Sequence, residues 1–201
     1  DYAILLISGA DGVQGHTKTL WRLLDKYEIP TFIFFNKMDQ EQADKDRLLQ
    51  QCKALLSENI VDFTNQESDT FVENVILCSE DESLLEDMLL SENAHDVINK
   101  NDITDWIAER KIFPCFFGAA LHMDGVEVLL QGIKDYASNV VNKQDGFAAR
   151  VFKISRDEQG NRLTFCKITG GSLKVKSVLE GTAKQEKWQE KVMYQFFLFL
   201  Y

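Results

Sequence analysis

Three short stretches of this chain are apolar almost without interruption: Ala3–Ile7, Thr31–Phe35 and Ile112–Phe117. None alternates apolar with polar residues, as a strand with one wet face would. Strands of this kind are buried on both sides, which is the condition of a parallel sheet covered by helices. Between them, apolar residues recur at helical spacing. Leu20, Leu23, Leu24 and Tyr27 form one stripe, and Leu48, Leu49, Cys52, Leu55 and Leu56 a second. After the third strand, Val126, Leu129, Leu130, Ile133, Ala137 and Val140 form a third. Strand alternating with helix predicts right-handed βαβ units and an α/β fold, a parallel sheet with flanking helices. Ligands of such sheets bind at the carboxyl ends of the strands. The loops that matter are therefore those after Ile7, Phe35 and Phe117.

The segment from about Ile60 to Arg110 fits this alternation poorly. It reads as an insertion between the second helix and the third strand, with helical fragments at Leu84–Leu90 and Ile103–Ile107. From Gln40 to Arg110 there are 18 acidic and 5 basic residues, whereas from Lys143 to Tyr201 there are 6 acidic and 11 basic. That reversal argues for two units with different surroundings. From Gly146 the pattern also changes. Phe147–Ile154, Leu163–Thr169 and Leu173–Val178 are short and β-branched or alternating, separated by Gly- and Asn-containing turns, which predicts an antiparallel barrel or sandwich. The expected domains are 1–142, with an acidic insertion at about 60–110, and 143–201, an incomplete β-barrel. The apolar run Met193–Tyr201 reads as a further buried strand, because left exposed it would invite aggregation.

With 45% apolar and 11% aromatic residues, the chain is not a disordered tail. No apolar run approaches the roughly 20 residues of a membrane helix, and no signal peptide opens it. It starts at Asp1 and enters a strand at once, as expected of a segment cut from a longer protein. The cysteines Cys52, Cys78, Cys115 and Cys166 have no metal spacing, so reduced thiols in the cytoplasm are expected.

The loop after the second strand reads Asn36-Lys37-Met38-Asp39. Guanine, unlike adenine, presents N1–H and N2–H donors side by side, and one carboxylate accepts both; Asp39 would set base specificity in this way. Asn36 can tie neighbouring loops together and reach the other edge of the purine, while the alkyl stem of Lys37 lies along its face. The plain alternative is a polar turn in which Asp39 caps the next helix. After the third strand comes Gly118-Ala119-Ala120-Leu121. Guanine-nucleotide proteins commonly carry Ser-Ala-Lys or Ser-Ala-Leu here, with the central Ala N–H donated to guanine O6, the part expected of Ala120. Ala119 replaces the Ser, and with it the hydroxyl that would brace the loop. The stretch Gly9–Thr19 (GADGVQGHTKT) imitates a phosphate loop, but its last glycine is not followed directly by Lys and Thr. It reads instead as a strand-to-helix connection with Thr17 opening the helix. His16, His95 and His122 are scattered, and no Cys or Ser has a base partner, so no catalytic residue is expected.

These phrases together resemble elongation-factor-G-like translational GTPases. The relevant residues are Ala3–Ser8, Asp11–Gln14, Ile29–Thr31 and Phe34–Asp39, then Arg150–Ile154, Gly160–Leu163 and Gly171–Val175. Within that group the chain is most similar to the tetracycline-resistance ribosomal protection proteins. The resemblance implies a P-loop-type G domain in part, followed by part of a β-barrel. It also implies a cytoplasmic parent protein that binds GTP or GDP with magnesium, docks on the ribosome and hydrolyses GTP there, with neither membrane nor DNA as partner. The family's phosphate loop, switch regions and catalytic His would precede Asp1. The guanine-binding residues it implies are Asn36, Lys37, Asp39, Ala119, Ala120 and Leu121. Other readings stay open: a housekeeping elongation or release factor, a non-catalytic interaction module, and an α/β fragment whose base loop is vestigial.

Most affinity in this architecture comes from phosphates on a Gly-rich loop and from magnesium. Calorimetry on this chain should accordingly show weak or no GTP and GDP binding, and no hydrolysis. Micromolar binding would contradict the reading.

Overall fold

The computed structural model describes residues 1–79, 81–91, 97–138 and 146–174. They fall into two compact units, Asp1–Ser138 and the residues beyond it.

In the first unit, strands β1 (Ala3–Ser8), β2 (Thr31–Asn36), β3 (Ile60–Asp62) and β4 (Phe113–Phe117) form one sheet in the order β1-β2-β4-β3. Every pairing is parallel. The helices are α1 (Gly15–Lys26), α2 (Lys45–Leu55), α3 (Asp69–Ser79), α4 (Glu82–Leu90), α5 (Lys100–Ala108) and α6 (Val126–Tyr136). Side chains alternate across a strand, and here both faces are dry. Ile33 and Phe35 of β2 join Leu5, Ile7, Ile60, Phe113 and Cys115 in one core, closed by Trp21 of α1 and by Leu48 and Cys52 of α2. Phe32 and Phe34 join Val61 and Phe116 in the other, closed by α3, α5 and α6. The apolar runs are continuous because each successive residue feeds a different core.

Two details differ from the periodicity. In α1 the buried residues are Thr17 and Trp21, whereas Leu23 and Tyr27 are 45% and 64% exposed. A large indole displaced the helix face by about one residue from the leucine stripe. The helix also starts at Gly15, earlier than expected, with Thr17 inside its first turn accepting the Gln14 N–H. The stripe on α2 agrees at Leu48 and Cys52. On α6, Leu129 and Tyr136 are buried while Leu130 is exposed, and Val140 lies outside the described residues.

Segment 60–110 holds an element that its acidic composition hid. Ile60–Asp62 is a strand paired with β4, and α3 behind it places Phe71, Val72, Val75 and Ile76 in the core. The expected helical fragments are α4 and α5, the latter capped by Asn99, whose side chain accepts from the N–H groups of Asn101 and Asp102. Phe63, directly after β3, is the hub of an aromatic cluster. Its ring lies 4.9 Å from Phe71, 5.4 Å from Tyr136 and 6.1 Å from Phe116. A three-residue strand gives too short an alternation to stand out in sequence.

Beyond the first unit, β5 (Ala148–Arg156) and β6 (Arg162–Gly170) form an antiparallel hairpin with a register shift between Val151 and Lys153. The turn is held by Asp157, whose carboxylate accepts from the Gln159 and Asn161 N–H groups. Most of the third expected strand, Leu173–Val178, and all of Met193–Tyr201 lie outside the described residues, so what is observed is a two-stranded sheet.

Helix α6 crosses the sheet closely at Gly132, where a Cβ would stand 2.4 Å from Phe116 Cζ. Phe116 is fully buried and its ring cannot step aside. Replacing Gly132 with Val should therefore lower stability by about 1–3 kcal/mol through overpacking. Urea denaturation measures this; an unchanged midpoint would mean that the ring relaxes.

Candidate functional site

The sheet order sets β2 beside β4, with Phe35 opposite Phe117. Two loops that lie far apart in sequence therefore leave the carboxyl edge side by side. The first turns sharply at Lys37, whose φ of 63 is left-handed. That conformation is costly for a residue with a Cβ, and here it directs the Asn36 side chain across to the second loop. Asn36 Oδ1 accepts from Ala120 N–H at 2.9 Å and from Lys37 N–H at 2.8 Å. Both partners are donors, so it is the amide oxygen that points inward. Two main-chain bonds complete the seam: Met38 N–H to Gly118 O at 3.0 Å and Gly118 N–H to Phe35 O at 2.9 Å.

Glycine is required twice in the second loop. A Cβ on Gly118 would meet the Asp124 carbonyl oxygen at 2.2 Å; at Gly125, with φ +70, it would meet that of Phe117 at 2.1 Å. The doubled-back chain pairs Ala119 with Asp124 through main-chain bonds of 3.0 and 3.2 Å. Ala119 is buried, so this backbone pairing braces the loop where a Ser hydroxyl is missing. A single 3-10 turn, Ala120–His122, follows.

Between the loops lies a cavity of ≈ 310 Å³ lined by Asn36, Lys37, Asp39, Gln40, Ala119, Ala120 and Leu121. Its size is at the small end of the range for ligand sites, about 300–1,000 Å³. All six residues expected from sequence are thus brought together. The Ala120 N–H, expected to face a base, is donated to Asn36 instead. Asp39 does not cap the following helix: Asp44 does, accepting from Arg47 N–H at 2.7 Å. The Arg47 guanidinium then ties the first loop to the one after β1, donating to the carbonyls of Gln42 and Gly9. Two residues at the site carried no signal of their own in the sequence. Gln40 lines the cavity, and His122 Nε2 lies 3.4 Å from Asp39 Oδ2.

A larger open hollow, ≈ 990 Å³, lies at the opposite edge near Trp21, Asp25 and Phe113. Its principal cation is already engaged. Arg110 donates to the Ile29 carbonyl, pairs with Asp25 at 3.1 Å and lies over the Trp21 and Phe113 rings. Parallel sheets bind ligands at the other edge, so the smaller cavity is the candidate.

Three of the four thiols, Cys52, Cys78 and Cys115, are buried. Burial pushes Cys52 up to about 12 and Cys78 to about 11, and drives Cys115 in the same direction. Such thiols stay protonated at neutral pH and are poor nucleophiles. Among the described residues no group of three or more His, Cys, Asp and Glu could hold a metal, and no helix is long and apolar enough to cross a membrane. His95 lies outside the described residues, and His16 stands in the first turn of α1.

A parallel sheet covered by helices on both faces, with a small cavity at its carboxyl edge, is of the open α/β class, whose ligands bind at that edge. The family is narrower: residues 1–139 match the elongation factor Tu GTP binding domain, and the chain belongs to that family. The chain is also related to tetracycline resistance proteins and to elongation factor G. It is 29% identical over 202 residues to the tetracycline resistance protein TetM from transposon Tn5251 of Streptococcus pneumoniae, covering 92% of this chain and 31% of that protein. Elongation factor G 1 of Syntrophomonas wolfei is 26% identical, covering 93% of this chain and 37% of the factor. A crystal structure of a Thermus thermophilus protein shares the fold, with a TM-score of 0.74 at 20% identity over 93% of this chain and 34% of that one. The chain thus spans about a third of the length of the relatives it matches.

The seam depends on one side chain. Asn36→Ala leaves the part-buried Ala120 N–H without its acceptor, at a cost of about 1 kcal/mol or more, whereas the exposed Lys37 N–H turns to water. Hydrogen exchange of the Ala120 amide should accelerate about tenfold, while that of Met38, bonded to Gly118, changes little. Unchanged exchange at Ala120 would show that the loops are held by other means.

Proposed function

We propose that this chain carries the guanine-reading loops of a ribosome-associated translational GTPase, of the type that protects ribosomes from tetracycline. The observation that carries the reading is the Asn36 side chain locking the two loops together around a cavity that Asp39 and Leu121 flank. In this arrangement the Asp39 carboxylate receives guanine N1–H and N2–H together. A purine with an acceptor at either position is disfavoured, because it would leave the carboxylate facing a lone pair. Lys37 and Leu121 cover the two faces of the base. With the Ala120 N–H committed to Asn36, guanine O6 falls to the next amide along, that of Leu121. Nucleotide phosphates and magnesium would be held by other parts of the protein, as the resemblance implies.

The domain assignment goes with this reading. Residues 1–142 belong to the guanine-nucleotide domain and 143–201 begin a β-barrel. Support for the barrel comes from the hairpin itself, where Val151, Phe152, Ile154 and Ile168 are 45–58% exposed. A two-stranded ribbon with so much apolar surface calls for further strands to cover it. The ribosome as partner and the cytoplasm as location are part of the same proposal, supported by the likeness to proteins named tetracycline resistance protein and elongation factor. A housekeeping elongation factor is the alternative, favoured by the 26% identity to elongation factor G 1.

Amide NMR on the labelled chain tests the base reading even when binding is weak. GDP should shift the amides of residues 36–40 and 119–121, and ADP should not. Asp39→Asn exchanges one acceptor for a donor, so the preference should move from GDP to xanthosine diphosphate, whose C2 carbonyl accepts it. Equal shifts with ADP, or an unchanged preference in Asp39→Asn, would refute guanine reading.

A further inference from the structure

His122 stands on the second loop and Asp39 on the first, yet Nε2 of one lies 3.4 Å from Oδ2 of the other. Asp39 makes this contact while also lining the cavity, so the two engagements are compatible rather than alternative. The contact uses one carboxylate oxygen, and each carboxylate oxygen carries more than one acceptor site. The backbone that carries the imidazole is held by the loop. His122 N–H is bonded to the Ala119 carbonyl at 2.9 Å, and the next residue, Met123, turns with φ +61.

We infer that His122 is a positioning residue for base recognition: it holds the Asp39 carboxylate in the orientation that receives guanine. The inference rests on the base-reading role proposed for Asp39. A carboxylate on an exposed loop otherwise turns freely, and fixing it beforehand removes that ordering cost from binding. The other charged side chains on these loops and on the first turns of the helices after them are Lys37, Glu41, Asp44, Lys45, Asp46, Arg47, Asp124 and Glu127, with Arg47 donating to the Gly9 and Gln42 carbonyls. Lys45 is drawn off to Asp62 at 2.6 Å, and Asp44 is spent on its helix cap. His122 is 63% and Asp39 45% exposed, so the effect is that of a solvent-screened pair, about two- to fivefold.

The test titrates cyclic GMP into the labelled chain and its variants. His122→Leu, which removes the ring nitrogen and keeps much of the volume, should weaken binding about two- to fivefold, and His122→Gln, which keeps a donor, should recover it. In an Asp39→Ala background His122→Leu should have no further effect, as a role exerted through the carboxylate requires. Unchanged affinity in His122→Leu, or an equal loss in the Asp39→Ala background, overturns the role of His122. Asp39→Ala and cyclic AMP separate this from failure of the parent reading. If Asp39→Ala binds cyclic GMP unchanged, or cyclic AMP binds equally well, the base reading falls and the inference with it. The amide spectrum of each variant shows directly that it is folded.

Discussion

The parallel pairing of β2 with β4 is the constraint on which the rest of this structure depends. It sets residues 36 and 120 within 2.9 Å of each other although 84 positions separate them. Nothing in the two loops alone would achieve that. The pairing is held because β2 is buried along its whole length, with Phe32, Ile33 and Phe35 showing no exposed surface. Each such side chain contributes about 1.5–3 kcal/mol on burial. Burial on both faces also locks the register. A slip of one residue would send Phe32 and Phe34 into the core built for Ile33 and Phe35, and strand registers are strongly specified where side chains must keep their faces.

That same two-sided burial explains what could be read from sequence. Uninterrupted apolar runs between helical stripes have few other uses, and β1, β2 and β4 were legible for that reason. The motif after β2 was legible because the chemistry of Asn36, Lys37 and Asp39 follows from residue type and spacing. Strand β3 was not, since Ile60–Asp62 is three residues long and ends on a carboxylate. Its place in the sheet comes from Phe63 and α3 packing behind it, contacts that no local pattern announces. Trp21 escaped for a related reason: a helix stripe drawn through leucines ignores that one indole covers more core than any of them, as its edge-to-face contact with Phe113 at 4.7 Å illustrates.

Within the site, the division falls between what a side chain is and where a loop turns. The residue types of the two loops could be read directly. That Asn36 would commit its oxygen to the Ala120 amide depends on the left-handed turn at Lys37 and on the tight return at Gly118 and Gly125. Ala119 is instructive in this respect. Its missing hydroxyl reads as a weakness in sequence, yet the backbone pairing with Asp124 supplies the bracing in another form. His122 had no readable partner, because the carboxylate it meets lies on another strand's loop.

Under the proposed reading, the separation of base and phosphate contacts has an energetic logic. A carboxylate facing two donors contributes modestly to affinity, since it exchanges hydrogen bonds to water for hydrogen bonds to the base. Its strength lies in discrimination, because the wrong base leaves buried polar groups unpaired. Phosphates and their metal supply attraction with no regard for the base. A site assembled from both gains affinity from one side and choice from the other, so the base side can be a small cavity on a rigid sheet edge. Rigidity is what choice demands: an Asp39 free to follow any purine would reject none. The left-handed backbone at Lys37, the Asn36 seam and the contact from His122 all limit that freedom, and each rests on the buried β2–β4 pairing beneath them.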